Sequence, residues 1–81
     1  MSPRAPYRNK SVVLFILYNE SIRRGWSYEK MGQAAGVERN TVTSWCRGNR
    51  TPNIWNLELW AKALGGYLQF VPSEVKEESN V

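Results

Sequence analysis

The sequence predicts a mainly α domain, a compact set of four to five helices with a short C-terminal β-strand. Three observations predict it. Segments of helical length are each followed by a glycine, at Gly25, Gly36, Gly48 and Gly65, the residue that most readily ends a helix. Capping residues stand where three of these segments begin, at Ser11, Ser27 and Asn53. The 81 residues make one domain with a thin core, to which four tryptophans bring large apolar surfaces.

Residues 1–10 read as a flexible basic arm, with two prolines, three basic side chains and little to bury. The domain proper is expected over residues 11–71. Ser11 opens a first helix running to about Arg24, where Arg23 and Arg24 complement the helix dipole. Its apolar run, Val12 to Tyr18, is so crowded that periodicity alone does not separate helix from buried strand. Ser27 caps a second, short helix from Tyr28 to Ala35, with Glu29 favourably placed in its first turn. A third helix follows from Arg39 to Arg47, then a loop of turn formers, Asn49 to Asn53. Asn53 caps a fourth helix, Ile54 to Leu64, with Ile54, Leu57, Trp60, Ala61 and Leu64 on one face. Tyr67 to Val71 reads as a strand, and residues 72–81 as a disordered acidic tail.

Composition excludes several kinds of chemistry. The chain has no histidine and one cysteine, Cys46, so an internal disulfide, the usual Cys/His zinc site and a histidine-activated nucleophile are all ruled out. No aspartate pair and no phosphate loop is present, and neither catalysis nor a cofactor is expected. The longest apolar run, seven residues, falls far short of the ~20 that span a bilayer, and no signal peptide is visible. A cytoplasmic protein with no membrane partner is the expectation. Charge is unevenly placed: residues 1–50 carry a balance of +6, and residues 51–81 a balance of −2. A basic first half suits a polyanionic partner, although a solubilising surface explains charge alone equally well.

The most informative stretch runs from Ser27 to Gly48, SYEKMGQAAGVERNTVTSWCRG. Gly36 supplies a left-handed turn between two short helices, and Gly32 supplies a small residue where those helices touch. Met31, Ala35, Val37, Val42 and Trp45 are apolar where such a unit must face its own domain. Gly48, Pro52 and Leu64-Gly65 follow in order. From Gly25 to about Leu68 the chain resembles the helix-turn-helix of the lambda repressor and Cro type, the Xre family. The resemblance implies a lambda-repressor-like fold and a double-stranded DNA partner. It also implies a bacterial or phage-encoded, nucleoid-associated protein. Tyr28 stands where the family often has Gln, Glu38 where it commonly caps with Ser or Thr, and Ser21 where it usually has Arg. Cys46 replaces a common acidic residue and reads as a small buried side chain, with redox switching as the alternative.

On the third helix, Val42, Trp45 and Cys46 cluster inward, so Arg39, Asn40, Thr43, Ser44 and Arg47 point outward. These side chains can read base edges: Arg suits guanine, Asn suits adenine, and hydroxyls serve several bases. The resemblance implies the same positions as base contacts. It places DNA-backbone contacts at Ser27, Tyr28, Lys30, Thr41, Asn49, Arg50 and Thr51. The arm, through Arg4, Arg8 and Lys10, could add to these or be only a solubilising tail.

Dimerisation is expected on two grounds. Trp55, Leu59 and Ala63 are spaced four apart, nearly opposite the core stripe of the fourth helix. A lone strand of Tyr67, Leu68, Gln69, Phe70 and Val71 leaves backbone groups unpaired. Trp55, Leu59, Tyr67, Leu68 and Phe70 are therefore assigned to a homodimer interface, with a palindromic operator as the DNA partner. The segment could instead pair with the arm of its own chain or form a short helix. The expected function is a sequence-specific transcriptional regulator, a repressor of phage or antitoxin type. An adaptor that keeps the fold but binds protein is the alternative.

Overall fold

The computed structural model describes residues 7–72. Four helices follow one another: α1 (Val12–Arg23), α2 (Tyr28–Ala35), α3 (Arg39–Arg47) and α4 (Ile54–Ala63). The capping residues act as their chemistry requires. Ser11 Oγ accepts from the Leu14 amide, Ser27 Oγ from the Lys30 amide and Asn53 Oδ1 from the Asn56 amide, at 2.9–3.2 Å. Glu38 occupies the N-cap of α3 and makes no side-chain capping bond. Helix α4 ends one residue earlier than its apolar pattern suggests, with Leu64 as its C-cap.

The core draws on all four helices: Leu14, Leu17 and Tyr18 from α1, Met31 and Ala35 from α2, Val42, Trp45 and Cys46 from α3, and Leu57, Trp60 and Ala61 from α4. Trp60 is completely buried and stacks on Trp45, with ring centroids 6.2 Å apart. Its indole N–H donates to Ser21 Oγ at 2.9 Å, and Ser21 Oγ donates in turn to the Leu17 carbonyl at 2.8 Å. The buried indole thus has an acceptor, as a buried donor must.

The crowded α1 run resolves into a buried set, Leu14, Leu17 and Tyr18, which Ser21 continues one turn on, and an outer set, Val12, Val13, Phe15 and Ile16, that stays exposed. Helical spacing decides which is which. Ile54, expected in the core, is instead 61% exposed. It is the first residue of α4, and helical side chains lean toward the N-terminus, which carries this one past the end of the core.

The expected strand over Tyr67 to Val71 is not formed; the described residues contain four helices and no strand. A strand exists only through ladder partners, and the arm that might have served is bound elsewhere. The Arg8 and Asn9 amides both donate to the Cys46 carbonyl, at 2.6 and 3.3 Å. Asn9 Nδ2 donates to the Trp45 carbonyl at 2.8 Å. Tyr7 packs on Tyr18 and Phe15, with ring centroids at 4.8 and 5.2 Å. Residues 7–10, read from sequence as part of the arm, are thus fastened to the C-terminal end of α3. Arg4 and the tail from residue 73 lie outside the described residues.

Candidate nucleic-acid interface

Helices α2 and α3 meet through a turn that only small residues allow. The Val37 amide donates to the Gly32 carbonyl at 2.8 Å. A Cβ at Gly32 would lie 2.6 Å from the Val37 carbonyl oxygen and 3.2 Å from the Glu38 carbonyl carbon, both backbone atoms. Gly36 holds φ at +82°, a conformation that side chains resist. Leu59 of α4 closes over this turn, its Cδ1 lying 3.3 Å from where a Gly36 Cβ would sit. Asn56 adds a support that the sequence did not reveal: its Nδ2 donates to the otherwise orphaned Ala35 carbonyl at 3.0 Å.

With Val42, Trp45 and Cys46 buried beneath, α3 presents Arg39, Asn40 and Arg47 fully to the outside and Thr43 and Ser44 half-buried beside them. At about 100° per residue these five positions fill one continuous arc. The Thr43 hydroxyl donates to the Arg39 carbonyl at 3.2 Å, which leaves its lone pairs to accept. Among the described residues the only ion pairs join Glu20 to Arg23 and to Arg24, both at 3.0 Å. Hydrogen bonds from these two guanidiniums hold the Glu20 carboxyl below the usual carboxylate range. Among the described residues Arg39 and Arg47 therefore have no carboxylate partner, and Glu38 does not pair with Arg39.

The residues read as backbone contacts are placed unequally. Ser27, Lys30, Asn49, Arg50 and Thr51 are exposed, and Thr41 is half-buried. Lys30 Nζ stands 5.2 Å from the Trp26 ring centroid, a cation–π contact that the sequence did not reveal. Tyr28 turns inward: its hydroxyl lies 3.3 Å from that of Tyr18. Burial, then this hydrogen bond, pushes the Tyr28 phenol well above its ordinary value. Burial likewise pushes up the Cys46 thiol, so it stays protonated and suits a packing role better than a redox one. Of the residues assigned to a dimer interface, Trp55, Tyr67 and Phe70 are 62%, 77% and 84% exposed. Leu59 and Leu68 are half-buried in their own chain, Leu59 on the turn and Leu68 against the core.

A family model described as Helix-turn-helix matches residues 20–71, the span that holds α2, the turn, α3, the loop and α4. Neither the curated proteins nor the solved structures contain a match to the chain. The match covers well over half of the chain and coincides with a four-helix arrangement whose turn requires Gly32 and Gly36. The chain belongs to the lambda repressor/Cro-type (Xre) helix-turn-helix family of DNA-binding regulators.

Proposed function

We propose that this protein is a sequence-specific transcriptional repressor, cytoplasmic and of phage or antitoxin type, that reads the major groove as a homodimer. The observation that carries the proposal is the outer arc of α3, where Arg39, Asn40, Thr43, Ser44 and Arg47 stand together without a carboxylate among them. Arginine offers a guanine two donors, asparagine offers an adenine one donor and one acceptor, and hydroxyls adapt. Ser27, Lys30, Thr41, Asn49, Arg50 and Thr51 flank the arc and suit phosphates, which fix register without reading sequence. Repression follows from occlusion: a dimer seated across two half-sites about 34–36 Å apart covers a promoter.

The test begins with selection of bound duplexes from a random library, which yields the operator. Arg39→Ala and Asn40→Ala are then compared on that operator and on a scrambled duplex. Each is expected to lose about 1–3 kcal/mol on the operator and much less on scrambled DNA, with relaxed preference at one base pair per half-site. Equal losses on both duplexes would mean that these side chains touch phosphate only. A selection that enriches nothing, with binding nearly flat in salt, would favour the protein-binding adaptor.

A further inference from the structure

The carboxyl end of α3 poses an electrostatic problem for a DNA reader. The last carbonyls of a helix carry partial negative charge, and on the proposed reading the loop that follows this end, Asn49 to Thr51, would meet the DNA phosphates. Here the segment Tyr7–Lys10 covers them. The Arg8 and Asn9 amides donate to the Cys46 carbonyl at 2.6 and 3.3 Å. Asn9 Nδ2 donates to the Trp45 carbonyl at 2.8 Å and reaches the Arg50 carbonyl, in the following loop, at 3.4 Å. Asn9 Oδ1 accepts from the Ser11 amide at 2.8 Å, so one side chain ties the segment to α3, to the loop and to the start of α1. Tyr7 fixes the other end by packing on Tyr18 and Phe15.

This arrangement also places charge. The backbone of Arg8 passes so close to Gly48 that its carbonyl oxygen lies 3.5 Å from where a Gly48 Cβ would be. Arg8 and Lys10 are both exposed, as are Arg47 and Arg50 on the α3 end and loop that the segment touches. Among the described residues none of these four takes part in an ion pair.

We propose that Tyr7–Lys10 is a second DNA-binding element, outside the helix-turn-helix. Asn9 anchors it, and Arg8 and Lys10 join Arg47 and Arg50 in a clamp on the phosphates flanking the groove. The proposal rests on the DNA-binding reading of α3 and adds a sequence-independent contact to it. Phosphate contacts appear as counterion release, so the logarithm of affinity falls with the logarithm of salt by about 0.9 for each contact.

The full chain and its Arg8→Ala, Lys10→Ala and Asn9→Ala variants are titrated onto a duplex of random sequence between about 50 and 200 mM salt. Arg8→Ala and Lys10→Ala are each expected to lower the slope by about 0.9 per bound chain. Asn9→Ala keeps every charge and is expected to lower the slope partway, because the charges lose their placement. Circular dichroism confirms that each variant is folded, and Arg8→Lys is expected to restore the wild-type slope. A steep wild type with an unchanged Arg8→Ala slope overturns the clamp while leaving the α3 reading intact. An Arg8→Ala loss without any Asn9→Ala loss overturns the anchor. A wild type whose binding is flat in salt overturns the clamp and the DNA reading together.

Discussion

Ser21 shows how much one small polar side chain can hold. It is fully buried, accepts from the Trp60 indole and donates to the Leu17 carbonyl, and so joins α1 to the centre of α4. Replacing it with alanine removes the acceptor and leaves an N–H buried without a partner, a defect that costs about 1–3 kcal/mol. Ser21→Ala should therefore lower the free energy of unfolding in urea by that amount, and the Ser21→Ala, Trp60→Phe double variant should lose less than the two single losses combined. Strict additivity would show that the bond does not couple them. The sequence marked Ser21 as unusual, because the family usually has Arg there, but not its role. Its partner lies 39 residues away, and no local pattern reports a bond of that span. Asn9 was hidden for the same reason, its partners lying 36 and 41 residues along the chain.

Elements were more legible where local chemistry sets them. The bounds of α2 and α3 match the sequence reading, since Ser27 starts one helix and left-handed glycines at Gly36 and Gly48 end both. The outward and inward faces of α3 were equally readable, because one amphipathic turn after another repeats the same division. On α1 the apolar residues are crowded on both faces, and only the fold shows that half of them stay outside. The exception among the caps is Glu38, which leaves the first amides of α3 without a side-chain acceptor. Glu38→Ser should supply that acceptor and stabilise the protein by about 0.5–2 kcal/mol in thermal or urea denaturation. The same change removes a carboxylate from the end of α3 that is proposed to enter the groove, so on that reading affinity for any duplex should rise. A variant that is no more stable would mean that solvent already satisfies those amides.

For the whole molecule, the C-terminal segment is where sequence and structure part. Its alternation of side chains reads as a strand, but one chain offers it no ladder, and only Leu68 folds back toward the core. Tyr67 and Phe70 remain outside, as does Trp55 on α4. A second copy paired antiparallel about a two-fold axis would satisfy both the backbone and these rings. Leu68 is a poor probe of that interface, since its substitution would also disturb the core. Tyr67→Arg with Phe70→Arg is the better one. Sedimentation is expected to show a wild-type dimer at micromolar concentration and a folded monomer for the double variant. If the variant still dimerises, the contact lies elsewhere, with Trp55 as the next position to change.

The bonds that fasten α1 and its leading segment also order events in time. Ser21 to Trp60, Arg24 to Leu64 and Asn9 to Trp45 close loops of 39, 40 and 36 residues. The α2–turn–α3 unit, by contrast, closes through neighbours such as Val37 and Gly32. Contacts distant in sequence must pay loop-closure entropy before they return anything. The α2–turn–α3 unit is therefore expected to take shape first on the folding path, with α1 docking onto it afterwards. Mutational φ-values should be high for Ala35→Gly at the buried end of α2, beside the turn, and near zero for Ser21→Ala. The reverse pattern would mean that the molecule folds around its tryptophan core and bends the turn between α2 and α3 last.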